Sequence, residues 1–238
     1  PDNPGTHSML GLMLSFAGQT EEAEAAFNRA LEIDPGCAPA ILHLARLRDR
    51  NDDEDGALYL YRRAAALGEL TDDATAHFAR ILMRQGKDDE AEILLRQALE
   101  DSSDRSDSRH LLASLLSGTG RAPEAIALLR DVAERSDDWM AWADLGAFLS
   151  AEEEFADARA ALDRSVAAGA SSPAIYKMLA TAILNLGEPS EAVAKVADAM
   201  LGKHADDAWA WIAAGDIYSL SRRRDRAEKA YRHATTLE

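Results

Sequence analysis

Small and apolar residues recur along this chain at spacings of three, four and seven, which place side chains on one face of an α-helix. The stretch GQTEEAEAAFNRALEIDP, residues 18–35, carries such a stripe in Ala23, Phe27 and Ala30. A related stretch appears 68 residues later, and another follows 34 residues after that. The pattern therefore predicts helices arranged in a repeat of 34 residues.

The period divides the chain into seven repeats, of which two depart from 34 by one residue and the last is incomplete. Their approximate bounds are 4–37, 38–71, 72–105, 106–138, 139–172, 173–207 and 208–238. We number the places of each repeat from its first residue. We expect a single continuous domain over residues 4–238, preceded by a flexible end at residues 1–3.

Two kinds of side chain alternate within the repeats. Small residues fill place 8 at Gly11, Ala45, Ala79, Ala113, Gly146, Ala180 and Gly215. Small residues also dominate places 20 and 27, which fall at Ala192 and Ala199 in the sixth repeat. Larger residues fill place 24 at Phe27, Tyr61, Leu95, Leu129, Leu162, Val196 and Tyr231. This arrangement indicates two helices that approach closely, with bulky side chains between the small ones.

Glycine at place 15 separates the two helices of four repeats, at Gly18, Gly86, Gly120 and Gly187. A helix that ends in a left-handed residue favours glycine there. Each repeat is thus predicted to be helix, turn, helix, and one such pair needs neighbours to bury its apolar faces. We expect about 14 helices of 11 to 15 residues and no strand, in an all-α, right-handed superhelical solenoid of stacked antiparallel helix pairs with a concave wall.

The period, the small residues at places 8, 20 and 27, the residue at place 24 and the ending EIDP resemble the tetratricopeptide repeat family. The resemblance covers essentially the whole chain and implies a helical solenoid. Many family members grip a C-terminal carboxylate with Lys, Asn and Arg at fixed places, but those places carry Ser8, Leu12, His43, Asp73 and His77. The resemblance to such binders therefore stops at the fold.

Charge and composition limit the classes of partner that the chain could bind. The chain has 42 acidic and 26 basic residues, a net charge of -16, which argues against nucleic acid and anionic membranes as partners. One cysteine excludes an internal disulfide, and no apolar run approaches the roughly 20 residues of a membrane span. The opening without methionine suggests a fragment. A cytoplasmic location is favoured, with a periplasmic one left open.

No residue pattern predicts catalysis, a metal or a cofactor. The GTG at residues 118–120 joins two helices and lacks the lysine of a phosphate loop. The run of acids at residues 152–154 falls in a turn, where solvated charges are ordinary. His43 and His77 share a place in adjacent repeats but lie too far apart for a metal pair. Cys37 has no histidine in register to activate it.

The first helix of each repeat should line the concave wall at about places 2, 5, 6, 9, 12 and 13, and the residues at these places predict a two-part groove. The basic part comprises His43, Arg46, Arg50, His77, Arg80, Arg84 and His110. The largely apolar part comprises Met140, Lys177, Met178 and Trp209. An alternative is that Arg46 and Arg80 merely pair with Asp49, Asp73 or Asp107 on the same wall.

These features favour a noncatalytic protein-protein interaction scaffold that binds an extended peptide or a partner helix, such as an acidic and hydrophobic segment. The alternative is a substrate-positioning or regulatory arm of a larger enzyme, for example a transferase, or of a bacterial envelope assembly. We also expect the final helix to present a partly apolar outer face around Ala230, Tyr231 and Ala234, which would contact another copy or a continuation of the chain.

Overall fold

The computed structural model describes residues 3–101, 105–136 and 138–237. Within these ranges the chain forms fourteen α-helices of 11 to 15 residues and no strand, which confirms the predicted all-α fold. The helices are α1 (Pro4–Phe16), α2 (Thr20–Ile33), α3 (Ala38–Arg50), α4 (Glu54–Ala66), α5 (Asp72–Arg84), α6 (Asp88–Asp101), α7 (Ser106–Gly118), α8 (Ala122–Ser136), α9 (Trp139–Ala151), α10 (Phe155–Ala167), α11 (Pro173–Asn185), α12 (Ser190–Lys203), α13 (Ala208–Leu220) and α14 (Arg224–Ala234).

The odd-numbered helices begin at the residues where the sequence repeats begin. Residues 1 and 2 of the predicted flexible end lie outside the described residues, whereas Asn3 caps α1 by accepting a 2.8 Å hydrogen bond from the Gly5 amide. Thr71 caps α5 in the same way through the Ala74 amide, at 3.2 Å. Side-chain caps therefore set several of these helix starts.

Place 15 has a left-handed backbone in all seven repeats. Gly18, Gly86, Gly120 and Gly187 have φ angles of +76°, +70°, +79° and +70°, as their turns predict. Three residues that carry a Cβ adopt the same conformation at this place: Asp52, Glu153 and Arg222, with φ of 61°, 63° and 59°. The tight turn is therefore kept even where the sequence lacks glycine.

Close contact between the two helices of a repeat explains the glycines at place 8. A Cβ on Gly11 would lie 2.6 Å from the Phe27 ring, and one on Gly215 would lie 2.5 Å from the Tyr231 ring. A Cβ on Gly146 would lie 2.6 Å from Leu162. Each glycine faces the residue at place 24 of its own repeat, so the small and large residues interlock as the sequence predicts.

The second helix of the sixth repeat lies one residue later than the sequence pattern indicated. α12 begins at Ser190, one place later in its repeat than the other second helices. Val193 and Met200 are fully buried, whereas Ala192 is half-buried and Ala199 is exposed. The assignment of Ala192, Val196 and Ala199 to places 20, 24 and 27 was therefore wrong, because the extra residue of this repeat lies in the turn before α12.

Packing divides the chain into two compact units, residues 1–118 and 119–238. The N-terminal unit contains α1 to α7, and its core includes the fully buried Ile41, Tyr61 and Ile81. The C-terminal unit contains α8 to α14, with Tyr176 and Met200 among its buried residues. The division falls within the fourth repeat, between α7 and α8.

The outer face of α14 differs from the predicted one. Ala230 and Ala234 are buried rather than exposed. The exposed side of α14 instead carries charged residues, namely Arg224, Asp225, Arg226, Glu228, Lys229 and Arg232. The predicted apolar face is therefore wrong, except at Tyr231, which remains 38% exposed.

Candidate functional site

A pocket of about 220 Å³ opens on the N-terminal unit, and we call it the basic pocket. Its lining comes from the first helices of three successive repeats and from one residue of α2. The lining residues are Leu12, Ser15, Phe16, Phe27, His43, Arg46, Asp49, Arg50 and His77. Four of the residues that the sequence predicted for the groove, His43, Arg46, Arg50 and His77, thus meet in one place.

Two of the predicted arginines are held by carboxylates of neighbouring helices. Arg46 of α3 pairs with Asp73 of α5. Arg84 pairs with Asp49, and its Nε donates to Glu54 at 2.7 Å. For Arg46 the structure therefore contains the ion pair that the alternative interpretation predicted, and Arg84 is paired in a similar way.

Arg50 and Arg80 differ from that pair. Among the described residues neither has a carboxylate oxygen within 4.0 Å. Arg50 donates to the Ser15 hydroxyl, and Arg80 lies 3.5 Å from His77 Nδ1. Both side chains are exposed, so their guanidinium groups are accessible to a ligand.

Both histidines of the pocket have a pKa below its ordinary value. Burial, followed by the positive charge of Arg46, lowers the pKa of His43. Burial, followed by the charges of Arg80 and Arg46, lowers the pKa of His77. His77 also lies 3.5 Å from Asp73 and 3.9 Å from Asp49. At neutral pH the positive charge of the pocket therefore comes from arginine, and the histidines add charge only where a lower pH protonates them.

The C-terminal unit has its own pocket, of about 610 Å³, which we call the apolar pocket. It lies against α9, α10 and α11. The lining residues are Ser150, Ala151, Glu153, Phe155, Ala174, Lys177, Met178, Thr181, Ala182 and Asn185. Two predicted groove residues, Lys177 and Met178, are among them.

Lys177 is part of a hydrogen-bonded chain. Its ammonium donates to Asp216 at 2.6 Å, and Tyr231 donates its hydroxyl to the other oxygen of Asp216 at 2.7 Å. Although burial raises the pKa of Asp216, these two hydrogen bonds lower it overall. The pairing holds Lys177 at the edge of the pocket, so the accessible lining is mostly apolar.

The other residues predicted for the groove lie outside both linings, namely Arg80, Arg84, His110, Met140 and Trp209. Met140 is exposed, as is His110. Trp209 is 73% exposed, whereas Trp142 is buried. Sequence reasoning did not assign Leu12, Phe16 or Phe155 to a site. For Leu12 and Phe16 the signal was available, because they occupy places 9 and 13 of the first repeat, which were expected to face the groove.

The described part of the chain shows neither a metal-binding cluster nor a helix that could span a membrane. Its residues include no cluster of three or more His, Cys, Asp or Glu side chains that could hold a metal ion. None of its helices has both the length and the apolar character needed to cross a membrane.

Known proteins resemble the chain in its repeats. Sequence models of the tetratricopeptide repeat match residues 5–37, 38–135, 110–173, 147–208 and 210–238. A probable biofilm formation methyltransferase of Pseudomonas aeruginosa, WspC, is 43% identical over 56 residues. That match covers 24% of this chain and 13% of the methyltransferase.

Solved structures share the fold. Pseudomonas aeruginosa PilF is 20% identical, with a TM-score of 0.60 over 85% of this chain and 92% of PilF. The C-terminal part of a repeat protein of Cytophaga hutchinsonii is 15% identical, with a TM-score of 0.61 over 97% and 95% of the two chains. The type IV pilus biogenesis factor PilW is 16% identical, with a TM-score of 0.59 over 84% and 92%.

Stacked helix pairs of this kind present extended surfaces to protein partners, and the fold supports a role as an interaction scaffold. The helix pairs, the interlocking places and the matching sequence models lead to the same assignment. The chain belongs to the tetratricopeptide repeat family.

Proposed function

We propose that this chain is a protein-interaction scaffold whose basic pocket holds an extended peptide that is both acidic and hydrophobic. The observation that carries the proposal is the meeting of arginine, histidine and exposed apolar side chains in one pocket of the N-terminal unit. A preformed concave surface with a few convergent polar groups is typical of peptide-binding sites.

Arg50, which lines the basic pocket, and Arg80, which lies beside it at 3.5 Å from His77 Nδ1, are the residues that would bind carboxylates of the peptide. A guanidinium can donate two hydrogen bonds to one carboxylate, which gives strength and direction to the contact. Arg46 and Arg84 already pair with protein carboxylates and would position the pocket wall instead. The predicted set of four ligand-binding arginines thus narrows to two.

The apolar side of the pocket would hold a hydrophobic residue of the same peptide. Phe16 is 77% exposed beside Leu12, and both line the pocket next to the arginines. Burial of such side chains supplies most of the free energy of peptide binding, whereas the charged contacts supply specificity.

The apolar pocket is a second and independent candidate for a hydrophobic anchor. Phe155 and Met178 line it, and methionine adapts its shape to different ligands. We expect this pocket to accept an apolar side chain with little dependence on salt, since Lys177 is occupied by Asp216.

A second candidate function is that of a partner-binding or substrate-positioning arm within a larger enzyme. The observation that favours it is the short match to a methyltransferase, of which this chain spans 13%. In that case the pockets would recruit the partner or substrate, and the chemistry would take place elsewhere in the protein.

A display library of random peptides, selected on the purified chain, would provide a ligand to test the basic pocket. We expect Arg50→Glu combined with Arg80→Glu to weaken the selected peptide at least about tenfold, because like charges repel an acidic ligand. Arg62→Glu is the matched control, since Arg62 is an exposed arginine of α4 that pairs with Glu90 outside the pocket. Calorimetry at two ionic strengths gives both the affinity and its salt dependence.

The same titration has a pH arm. Since the pKa values of His43 and His77 are lowered in the free protein, a bound carboxylate should raise them, and binding should take up protons. Affinity is therefore expected to increase as the pH falls from about 7.5 to about 5.5.

Equal binding of the peptide by the Arg50→Glu, Arg80→Glu variant and by the wild type would contradict the proposed role of the two arginines.

A further inference from the structure

The first repeat exposes a stripe that the later repeats bury. At place 7, Leu10 is 50% exposed. The six later repeats bury this place, at Leu44, Phe78, Leu112, Leu145, Leu179 and Ala214. At place 10, Met13 is 53% exposed, whereas Leu47 and Ile81 are buried at the same place. The stripe of Leu10 and Met13 therefore has the character of a surface that another helix pair covers.

The last repeat shows the complementary exposure. Tyr231 at place 24 is 38% exposed, but Phe27, Tyr61, Leu95, Leu129 and Leu162 at this place are all buried. Within the chain, place 24 of one repeat packs on place 7 of the next, since the rings of Tyr61 and Phe78 stack 5.8 Å apart at an angle of 11°. Tyr231 and Leu10 thus expose the two sides of a contact that Tyr61 and Phe78 make between the second and third repeats.

Charged side chains also pair between neighbouring repeats. Arg62 at place 25 pairs with Glu90 at place 19 of the following repeat, at 2.8 Å. Arg130 and Asp157 repeat this pair at 2.8 Å. In the sixth repeat, after its one-residue shift, Asp198 faces Arg226 at 3.3 Å with the signs reversed. Complementary charges at places 25 and 19 are therefore a recurring feature of neighbouring repeats.

The two ends of the chain carry the halves of one such pair. Arg232 occupies place 25 of the last repeat, and Glu22 occupies place 19 of the first. Both side chains are exposed. Arg232 currently pairs with Glu228 on its own helix at 2.6 Å, an exposed pair that costs little to exchange.

We propose that two copies of this chain associate head to tail. The tail surface, Tyr231 and Arg232 of one copy, covers the head surface, Leu10, Met13 and Glu22 of the next. In this arrangement Tyr231 packs on Leu10 as Tyr61 packs on Phe78, and Arg232 pairs with Glu22 as Arg62 pairs with Glu90. Such a contact joins two different surfaces, so it leaves one head and one tail available to further copies.

This inference does not depend on the peptide site. It also differs from the sequence prediction for the last helix, because Ala230 and Ala234 are buried and take no part. The competing arrangement is a symmetric pair of copies that join their α1 stripes. The charge pair distinguishes the two arrangements, since only the head-to-tail contact uses Arg232.

Sedimentation velocity over a range of concentrations tests the proposal by charge exchange. Glu22→Arg alone and Arg232→Glu alone should each weaken self-association about tenfold, because each brings like charges together. An equimolar mixture of the two variants should restore it, since every mixed junction then joins opposite charges. The double variant Glu22→Arg with Arg232→Glu should also associate like the wild type.

Two further variants complete the design. Arg135→Glu is the matched control, because Arg135 is equally exposed and also pairs four residues back on its own helix, with Asp131. It should leave association unchanged, whereas Leu10→Glu should weaken it about a hundredfold by burying a charge. Circular dichroism verifies that each variant is folded.

Two results would overturn the proposal. One is a wild-type chain that sediments as a monomer at all concentrations. The other is loss of association in Leu10→Glu without any effect of Arg232→Glu, which would assign the contact to paired α1 stripes.

Discussion

The turn inside each repeat depends on one residue at place 15. A left-handed backbone strains any residue with a Cβ, because that atom approaches the following carbonyl oxygen. Glycine avoids the strain in four repeats, whereas Asp52, Glu153 and Arg222 bear it. The sequence predicted the turn where glycine is present, but the other three carried no local signal, since the surrounding helices impose their conformation.

Replacing Glu153 with glycine should therefore stabilise the protein. We expect Glu153→Gly to raise the free energy of unfolding by about 1 kcal/mol, which is the strain that a side chain costs at this backbone angle. Urea unfolding followed by circular dichroism measures the change. Glu154→Gly is the control, since it removes the same charge at a φ of -82°, where glycine relieves no left-handed strain. A similar gain in both variants would refute the strain argument.

The periodicity of the sequence predicts that a helix is present more securely than it predicts which residue fills each place of that helix. The sequence predicted two helices per repeat, and the described residues contain them. It misplaced α12 because Ala192 and Ala199 match the small-residue pattern one residue before the observed register, in which the larger Val193 and Met200 fill places 20 and 27. The turn from Gly187 to Ser190 has one more residue than its counterparts, and only packing shows that the extra residue lies there.

The register of α12 predicts which of two adjacent residues stabilises the C-terminal unit. Met200→Ala should lower the free energy of unfolding by about 2 to 5 kcal/mol, because it empties a fully buried site. Ala199→Gln should change it by less than about 0.5 kcal/mol, as expected for an exposed position. Thermal or urea unfolding of the two variants makes the comparison. The register is wrong if Ala199→Gln proves the more damaging change.

At the scale of the molecule, the sequence placed four residues of the predicted basic part at one pocket but did not indicate how its arginines pair. The repeat places brought His43, Arg46, Arg50 and His77 to one wall, and all four line the basic pocket. Which arginines remain accessible depends on carboxylates one repeat away, such as Asp73. A linear pattern does not specify side-chain conformations across repeats, so it could not separate Arg50 from Arg46.

The excess of acidic residues predicts a salt effect on the whole chain. A net charge of -16 destabilises the compact state by self-repulsion. Raising NaCl from about 0.02 M to about 0.3 M should therefore raise the melting temperature by a few degrees, since salt screens this repulsion. The exposed ion pairs that salt also weakens contribute little. Near the isoelectric point of about 4.8 the effect should vanish, and a salt effect of equal size at that pH would contradict the explanation.

The distribution of two rare residues gives each compact unit its own natural label. All four tryptophans, Trp139, Trp142, Trp209 and Trp211, lie in the C-terminal unit, and the single cysteine, Cys37, is buried in the N-terminal unit. Indole fluorescence therefore follows the opening of one unit, while the rate at which a thiol reagent modifies Cys37 follows the other. The unmodified protein thus carries two separate optical and chemical reporters, and the order in which its units open can be measured without adding a dye.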